Sequence, residues 1–413
     1  MTGRQRSGRR TVCGLAALLL ALQALTGCGS GAPPGPEGRT ENADRGVQRL
    51  LDRWGTAVRN RDESAYLAAV DPAAGGYRDE RRQVFANLAA VPLASWEYRL
   101  VRTGPAAGGR TAAEAELRYR LAGYDTAPVT TPVRLTLARR AGRWYVAGQD
   151  TREGGGQLWE QGAVTAVRGK RSLVLAVGQD QERLRALADL ADRAVPAVES
   201  AWRGPWARRV VVEMPASLSR MAALLGAPAS HYRGIAAVTT GEVGGAGAAP
   251  ADRIIVNPEA YGVLGGFGRR IVLTHETAHV ATRAATSAAT PLWLSEGFAD
   301  WAAYRGTGRT ARQAAPELAA AVAAGRAPQK LPEDAEFGFA GEAGRLARAY
   351  EEGWLACRMI AEEWGEERLA AFYRAVGSRK RRGGAVEGAV RDVLGVDMGG
   401  FTVRWREYVA RAF

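Results

Sequence analysis

Apolar positions in the first foldable stretch recur three and four apart. In VQRLLDRWGTAV, Val47, Leu50, Leu51, Trp54 and Val58 fall on one face, which predicts an amphipathic helix. A second helix is expected near RDERRQVFANLAAV. The period then drops to two. Leu117, Tyr119 and Leu121 alternate with Arg118 and Arg120, Val133, Leu135 and Leu137 alternate with polar neighbours, and GRWYVAGQ closes the run. Helices first and antiparallel strands after predict an α+β unit over residues 44–150, with a curved sheet.

The glycines 154–156 punctuate the chain, and residues 151–168 are expected to be a linker. Beyond them SLVLAVG, RRVVVEMP, GIAAVT and DRIIVNP predict strands of a second unit, residues 169–413. A long helix is expected from DQERLRALADLADRAVPAVESAW, interrupted or kinked at Pro196. After Gly265 and Gly266 the pattern turns helical. No repeat of fixed period is visible.

The 413 residues, 46% hydrophobic and 24% charged, fit ordinary globular domains with room for a sizeable core. The start departs from that pattern. A basic MTGRQRSGRR precedes a short apolar run ending in LTGC, which marks residues 1–27 as an export signal. An uncleaved membrane anchor is the alternative. Cys28 closes a segment resembling the lipobox of bacterial lipoproteins, which implies lipidation there, and the Gly/Pro-rich residues 28–43 are expected to be a flexible tether. The expected location is the extracytoplasmic face of the cell membrane, held by that anchor. Removing residues 1–27 takes away four arginines and lowers the net charge from +13 to +9. The remaining basicity suits anionic surfaces or simple solvation, and no nucleic-acid motif accompanies it. Of three cysteines, Cys13 lies in the signal and Cys28 in the lipobox. Cys357 is left, expected as a small buried apolar residue.

The chain has three histidines, and two stand four apart in LTHETAHVATRAATSAATPLWLSEGFADW. On a helix His275 and His279 project from one face, one turn apart, so both imidazoles can converge on one ion. Catalytic zinc accepts such nitrogens and keeps a position open for water. Glu276, beside the first histidine, is placed to take a proton from that water. A third ligand is available in Glu296, 17 residues after His279, at the start of a second expected helix. One turn later Asp300 can accept the other ring proton of a ligating histidine.

Together HETAH and EGFAD resemble the gluzincin metallopeptidases, which carry HExxH on one helix and ExxxD on the next. WLSEGFADWAAY is similar to the peptidase-MA-like domains. The resemblance covers roughly residues 170–413 and implies one zinc ion held by His275, His279 and Glu296. It further implies that Glu276 is the general base and that Asp300 pairs with a histidine, His275 first. The metzincin pattern is not continued. YEEG, residues 350–353, resembles a segment in which a tyrosine hydroxyl stabilises the oxyanion, so Tyr350 is the candidate electrophile, with a packed core aromatic as the alternative. Tyr304 is expected to be structural and His231 to be an exposed loop residue. No GAMEN-type segment for a free substrate amine is found, Glu242 being the nearest acid, and RIIVN is expected as the edge strand for an extended peptide. The basic run SRKRRGG is expected to be a solvated loop. The N-terminal unit resembles nuclear transport factor two-like, cone-shaped domains, and without catalytic residue types it is read as a spacer or docking module.

The expected protein is thus an α+β chain, a cone-shaped domain followed by a thermolysin-like domain with β-rich and helical subdomains. Its expected partners are a peptide or protein substrate and the membrane. Two other readings stay open: a zinc hydrolase of a non-peptide substrate, and a non-catalytic surface-binding lipoprotein.

Overall fold

The computed structural model describes residues 36–150, 156–240, 252–338 and 343–413. The export segment, Cys28, Gly154 and Glu242 lie outside these residues. Helix α1 (Pro36–Arg59) begins within the segment expected to be tether, and α2 (Glu63–Ala68) and α3 (Gly75–Asn87) follow. The four strands β1 (Leu93–Ala107), β2 (Arg110–Leu121), β3 (Val129–Arg140) and β4 (Arg143–Asp150) form an antiparallel meander in that order. The expected face of α1 is buried throughout, with Val47, Leu51 and Trp54 fully enclosed. Trp54 stacks on Tyr98 and Tyr66, and Trp96 meets Tyr119 at a tilt, so the hollow of the sheet is filled with aromatic rings.

A second sheet has the order β5 (Thr165–Arg168), β6 (Ser172–Ala176), β7 (Val210–Met214), β9 (Ile254–Val256), β8 (Ala237–Thr239). β6, β7 and β9 run parallel, and the two end strands pair antiparallel. Alternate residues serve opposite faces. Val174, Val212 and Ile254 pack against α4 (Gln181–Ala201), while Leu173, Leu175 and Val211 join the core of the first unit. Burial on both faces explains why these strands read as unbroken apolar runs. The helix α4 continues through Pro196.

The segment expected to be a linker carries structure after residue 156. Leu158 and Trp159 are buried among the aromatics of the first unit, Trp159 lying 5.3 Å from Trp96 and 5.1 Å from Tyr119, and β5 adds an edge to the second sheet. Apolar side chains of this size gain about 1.5–3 kcal/mol each by full burial, which is reason enough for the segment to pack down. Charge crosses the same boundary. Arg253, on entering β9, forms two 2.8 Å hydrogen bonds to the carboxylate of Asp125 in the turn after β2, and Glu213 of β7 lies 3.6 Å away. Residues Ala43–Phe413 accordingly form one unit.

Helix α5 (Leu218–Leu225) lies between β7 and β8, and α6 (Pro258–Gly262) follows β9. The rest of the chain is helical: α7 (Gly266–Thr282), α8 (Leu292–Tyr304), α9 (Ala311–Ala314), α10 (Pro316–Ala323), α11 (Ala343–Trp364), α12 (Glu366–Gly377), α13 (Ala385–Ala389) and α14 (Met398–Ala412). Phe298, Leu355, Cys357, Ile360, Phe372 and Trp405 are the centre of this layer, all fully buried. No helix among the described residues is long and apolar enough to cross a membrane.

Candidate metal centre

The site grows out of α7 and α8. The chain leaves α7 through a tight turn in which Ser287 and Thr290 hydrogen-bond each other's backbone, and Pro291 sets the extended entry to α8. The Leu292 amide at the start of α8 donates to Asp334 at 2.9 Å. This short return brings the first turns of α8 against the last turns of α7, so Glu296 meets both histidines despite the short spacing. His275 Nε2 stands 2.9 Å from His279 Nε2, and Glu296 Oε2 is 3.2 Å from the first nitrogen and 3.5 Å from the second.

Tetrahedral zinc with bonds near 2.0–2.1 Å keeps its ligand atoms about 3.3 Å apart, and these spacings bracket that value. Two imidazole nitrogens facing each other beside a carboxylate need a cation or a proton between them, so the donor set fits a metal of zinc's preferences. His275 Nδ1 lies 2.8 Å from Asp300 Oδ1. An ionised carboxylate only accepts, so Nδ1 carries the proton and Nε2 presents its lone pair to the centre. Burial disfavours charge on His275, yet Asp300 and Glu296 outweigh it and raise its pKa well above the ordinary histidine value. Burial alone would push the Glu296 carboxyl up, but His279 and the hydrogen bonds from both rings hold it far below the usual carboxylate range. With Glu276 also close, the site has the negative potential that draws a cation.

Glu276 is 6% exposed, and its Oε2 accepts a 2.7 Å hydrogen bond from Thr239 Oγ1 on β8. Helix α8 meets α11 through glycine. A Cβ on Gly297 of α8 would lie 2.2 Å from the Gly353 carbonyl oxygen of α11, and one on Gly353 would lie 2.7 Å from the Trp293 carbonyl oxygen. The glycines of EGFAD and YEEG are therefore the contact at which α8 and α11 cross. That crossing sets Tyr350, one turn before Gly353, with its ring centre 6.5 Å from that of His275 and packed on Phe337.

Above these residues opens a cleft of about 820 Å³ whose walls include Ile235, Val238, Ile271, Leu292, Phe337 and Leu346. Tyr350 lines it, and so does His231, which is exposed as expected but faces the site from a short turn. Tyr304 packs on Phe267 and Trp354 instead. One expectation fails. RIIVN is β9, flanked by β7 and β8, and the end strand of the described sheet on this side is β8, whose Ala237 and Val238 line the cleft. The three-residue length of β8 and the glycines around it hid it as an edge. Thr239, Asp334 and Phe337 also carry no local signal, since each reaches the site only through tertiary contact.

No family model and no curated protein matches this chain. Among solved structures it is similar to a point variant of the M1 zinc metallopeptidase of Deinococcus radiodurans, at 16% identity and a TM-score of 0.31, over 74% of this chain and 62% of that one. The chain thus spans somewhat under two thirds of that protein's length. A Mycobacterium tuberculosis protein of unknown function is similar at 12% identity and a TM-score of 0.23, over 28% of this chain and 76% of that one.

Proposed function

We propose that the chain is a zinc-dependent peptidase, and the observation that carries this reading is the convergence of His275, His279 and Glu296 with the Glu276 carboxylate on the floor of an open cleft. Zinc held there would acidify water to a pKa of about 7 and polarise a carbonyl. Glu276 then takes the proton of the attacking water and delivers it to the leaving nitrogen. Asp300 holds His275 in the ligating tautomer, and the Tyr350 hydroxyl donates to the developing oxyanion. A purely structural zinc has no use for a base beside it, which disfavours a binding-only role.

Peptide is preferred over other carbonyl substrates because β8 offers an end strand beside the base, along which an extended chain can pair. The apolar walls suit apolar side chains flanking the scissile bond. The same reading takes residues 1–27 as the export signal and Cys28 as the lipid-bearing N-terminus, which the intact mass of the mature protein would reveal.

The test is zinc content together with cleavage of a quenched-fluorescence peptide library by the full chain. Wild type is expected to hold about one zinc per chain, and His279→Ala to lose most of it. Glu276→Gln is expected to keep zinc and lose about 10²–10⁴-fold in turnover. Tyr350→Phe is expected to lower kcat by about 10²–10³ with little change in KM. Full turnover by Glu276→Gln would overturn the reading.

A further inference from the structure

We infer that Thr239 is a positioning residue for Glu276, fixing the carboxylate that serves as base; the inference rests on the reading of Glu276 given above. Thr239 is 2% exposed, the last residue of β8. Its Oγ1 lies 2.7 Å from Glu276 Oε2 and 3.1 Å from the Glu276 carbonyl oxygen. A hydroxyl has one proton, and the shorter, charged partner takes it. A glutamate has three rotatable side-chain bonds, and a base that must first collect a proton and then deliver it to nitrogen loses rate if its carboxylate wanders. Holding Oε2 leaves Oε1 as the oxygen that works.

The residue that carries the hydroxyl is itself held by backbone pairing. Thr239 pairs with Ile254. The next residue exchanges two bonds with Arg253, Thr240 N to Arg253 O at 2.8 Å and Arg253 N to Thr240 Oγ1 at 2.9 Å, and Arg283 donates to Thr240 O at 2.8 Å. Arg253 is in turn clamped by Asp125. Ala237 and Val238, immediately before Thr239, line the cleft. One three-residue strand therefore sets both where an extended substrate can pair and where the base stands.

The test uses the full zinc-loaded chain and three substitutions. Thr239→Val keeps the branched shape without the hydroxyl, while Thr239→Ser and Thr239→Ala differ from each other by the hydroxyl alone. Val and Ala variants are expected to lose about 10–100-fold in kcat with KM within about twofold, and the Ser variant to stay within about threefold of wild type. A readout independent of turnover is the affinity for a peptide hydroxamate, whose hydroxyl proton goes to the base. It is expected to weaken about tenfold in the Val and Ala variants, with zinc content unchanged, and to be kept in the Ser variant. If the Val variant does not fold, the Ser and Ala pair decides. Equal kcat and equal hydroxamate affinity for Ser and Ala variants would overturn the inference, since the hydroxyl would then be idle. Failure of the peptidase reading looks different: Glu276→Gln would keep both wild-type turnover and wild-type hydroxamate affinity.

Discussion

Adding one methyl group at Gly297 tests how the helical layer builds the site. The new Cβ would stand 2.2 Å from the Gly353 carbonyl oxygen and 2.3 Å from its carbon. Carbon and oxygen rest at roughly 3.4–3.5 Å, so α8 and α11 must part by roughly 1 Å. Backbone cannot swing aside as a side chain can, which puts the cost near the top of the range of about 1–3 kcal/mol for overpacking. The three proposed ligands lie on α7 and α8, whereas Tyr350 rides on α11. Gly297→Ala should therefore keep zinc, lower the denaturant midpoint, and cut kcat by about 10²-fold, the scale of a 1 Å misplacement. Gly353→Ala, whose Cβ meets the Trp293 carbonyl oxygen at 2.7 Å, should do the same more mildly. The assays are urea unfolding followed by tryptophan fluorescence, metal analysis, and turnover. A Gly297→Ala protein within about 0.5 kcal/mol of wild type and with unchanged kcat would refute the close crossing as the device that positions Tyr350.

Asp125→Ala leaves Arg253, whose side chain is 5% exposed, with Glu213 at 3.6 Å as its remaining acid, and should destabilise the full chain by about 3–5 kcal/mol in urea unfolding. A loss under about 1 kcal/mol would show that the charge is relieved by water or by movement of the first unit. Burial, reinforced by the nearby Glu336, pushes the Glu352 carboxyl up to about 7. Unfolded, it ionises near about 4.3, so between these values the folded state binds the extra proton and stability falls as pH rises. Glu352→Gln escapes that loss, so its unfolding midpoint should exceed wild type by more at about pH 8 than at about pH 4.5; an equal difference at both would refute the assignment.

The candidate site was legible because its signals are local. The spacing of His275 and His279 is a property of any helix, and Glu276 comes with them. Glu296 and Asp300 needed only a second helix, and Pro291 announced its start. Tyr350 was legible through YEEG, and the structure supplies the reason for the glycine in it: Gly353 lets α11 reach Gly297. The face of α1 and the alternation in β2 and β3 were equally plain, because each segment has one wet side and one dry side.

What stayed hidden depends on partners far along the chain. β8 was expected as a strand from GIAAVT, but its place at the end of the described sheet follows from β9 pairing between it and β7, which no local pattern records. Thr239 reads as one of two ordinary threonines until the strand is laid against α7. Asp125 and Arg253 are 128 residues apart, and neither marks the other. Leu158 and Trp159 sit beside a glycine run that argues for a linker, yet their burial in the first unit's core overrides it. These hidden contacts share a direction. Asp125 clamps Arg253, Arg253 pairs with Thr240, and the neighbouring Thr239 bonds Glu276, so the first unit, expected as a spacer, is linked through hydrogen bonds and the Thr239–Thr240 backbone to a carboxylate lining the cleft. A chain of bonds is a route for rigidity and does not by itself establish coupling. It does give the Asp125 variant a second use: if the clamp only adds stability, residual folded protein should turn over normally, and if it holds β8 in place, kcat should fall before the protein unfolds.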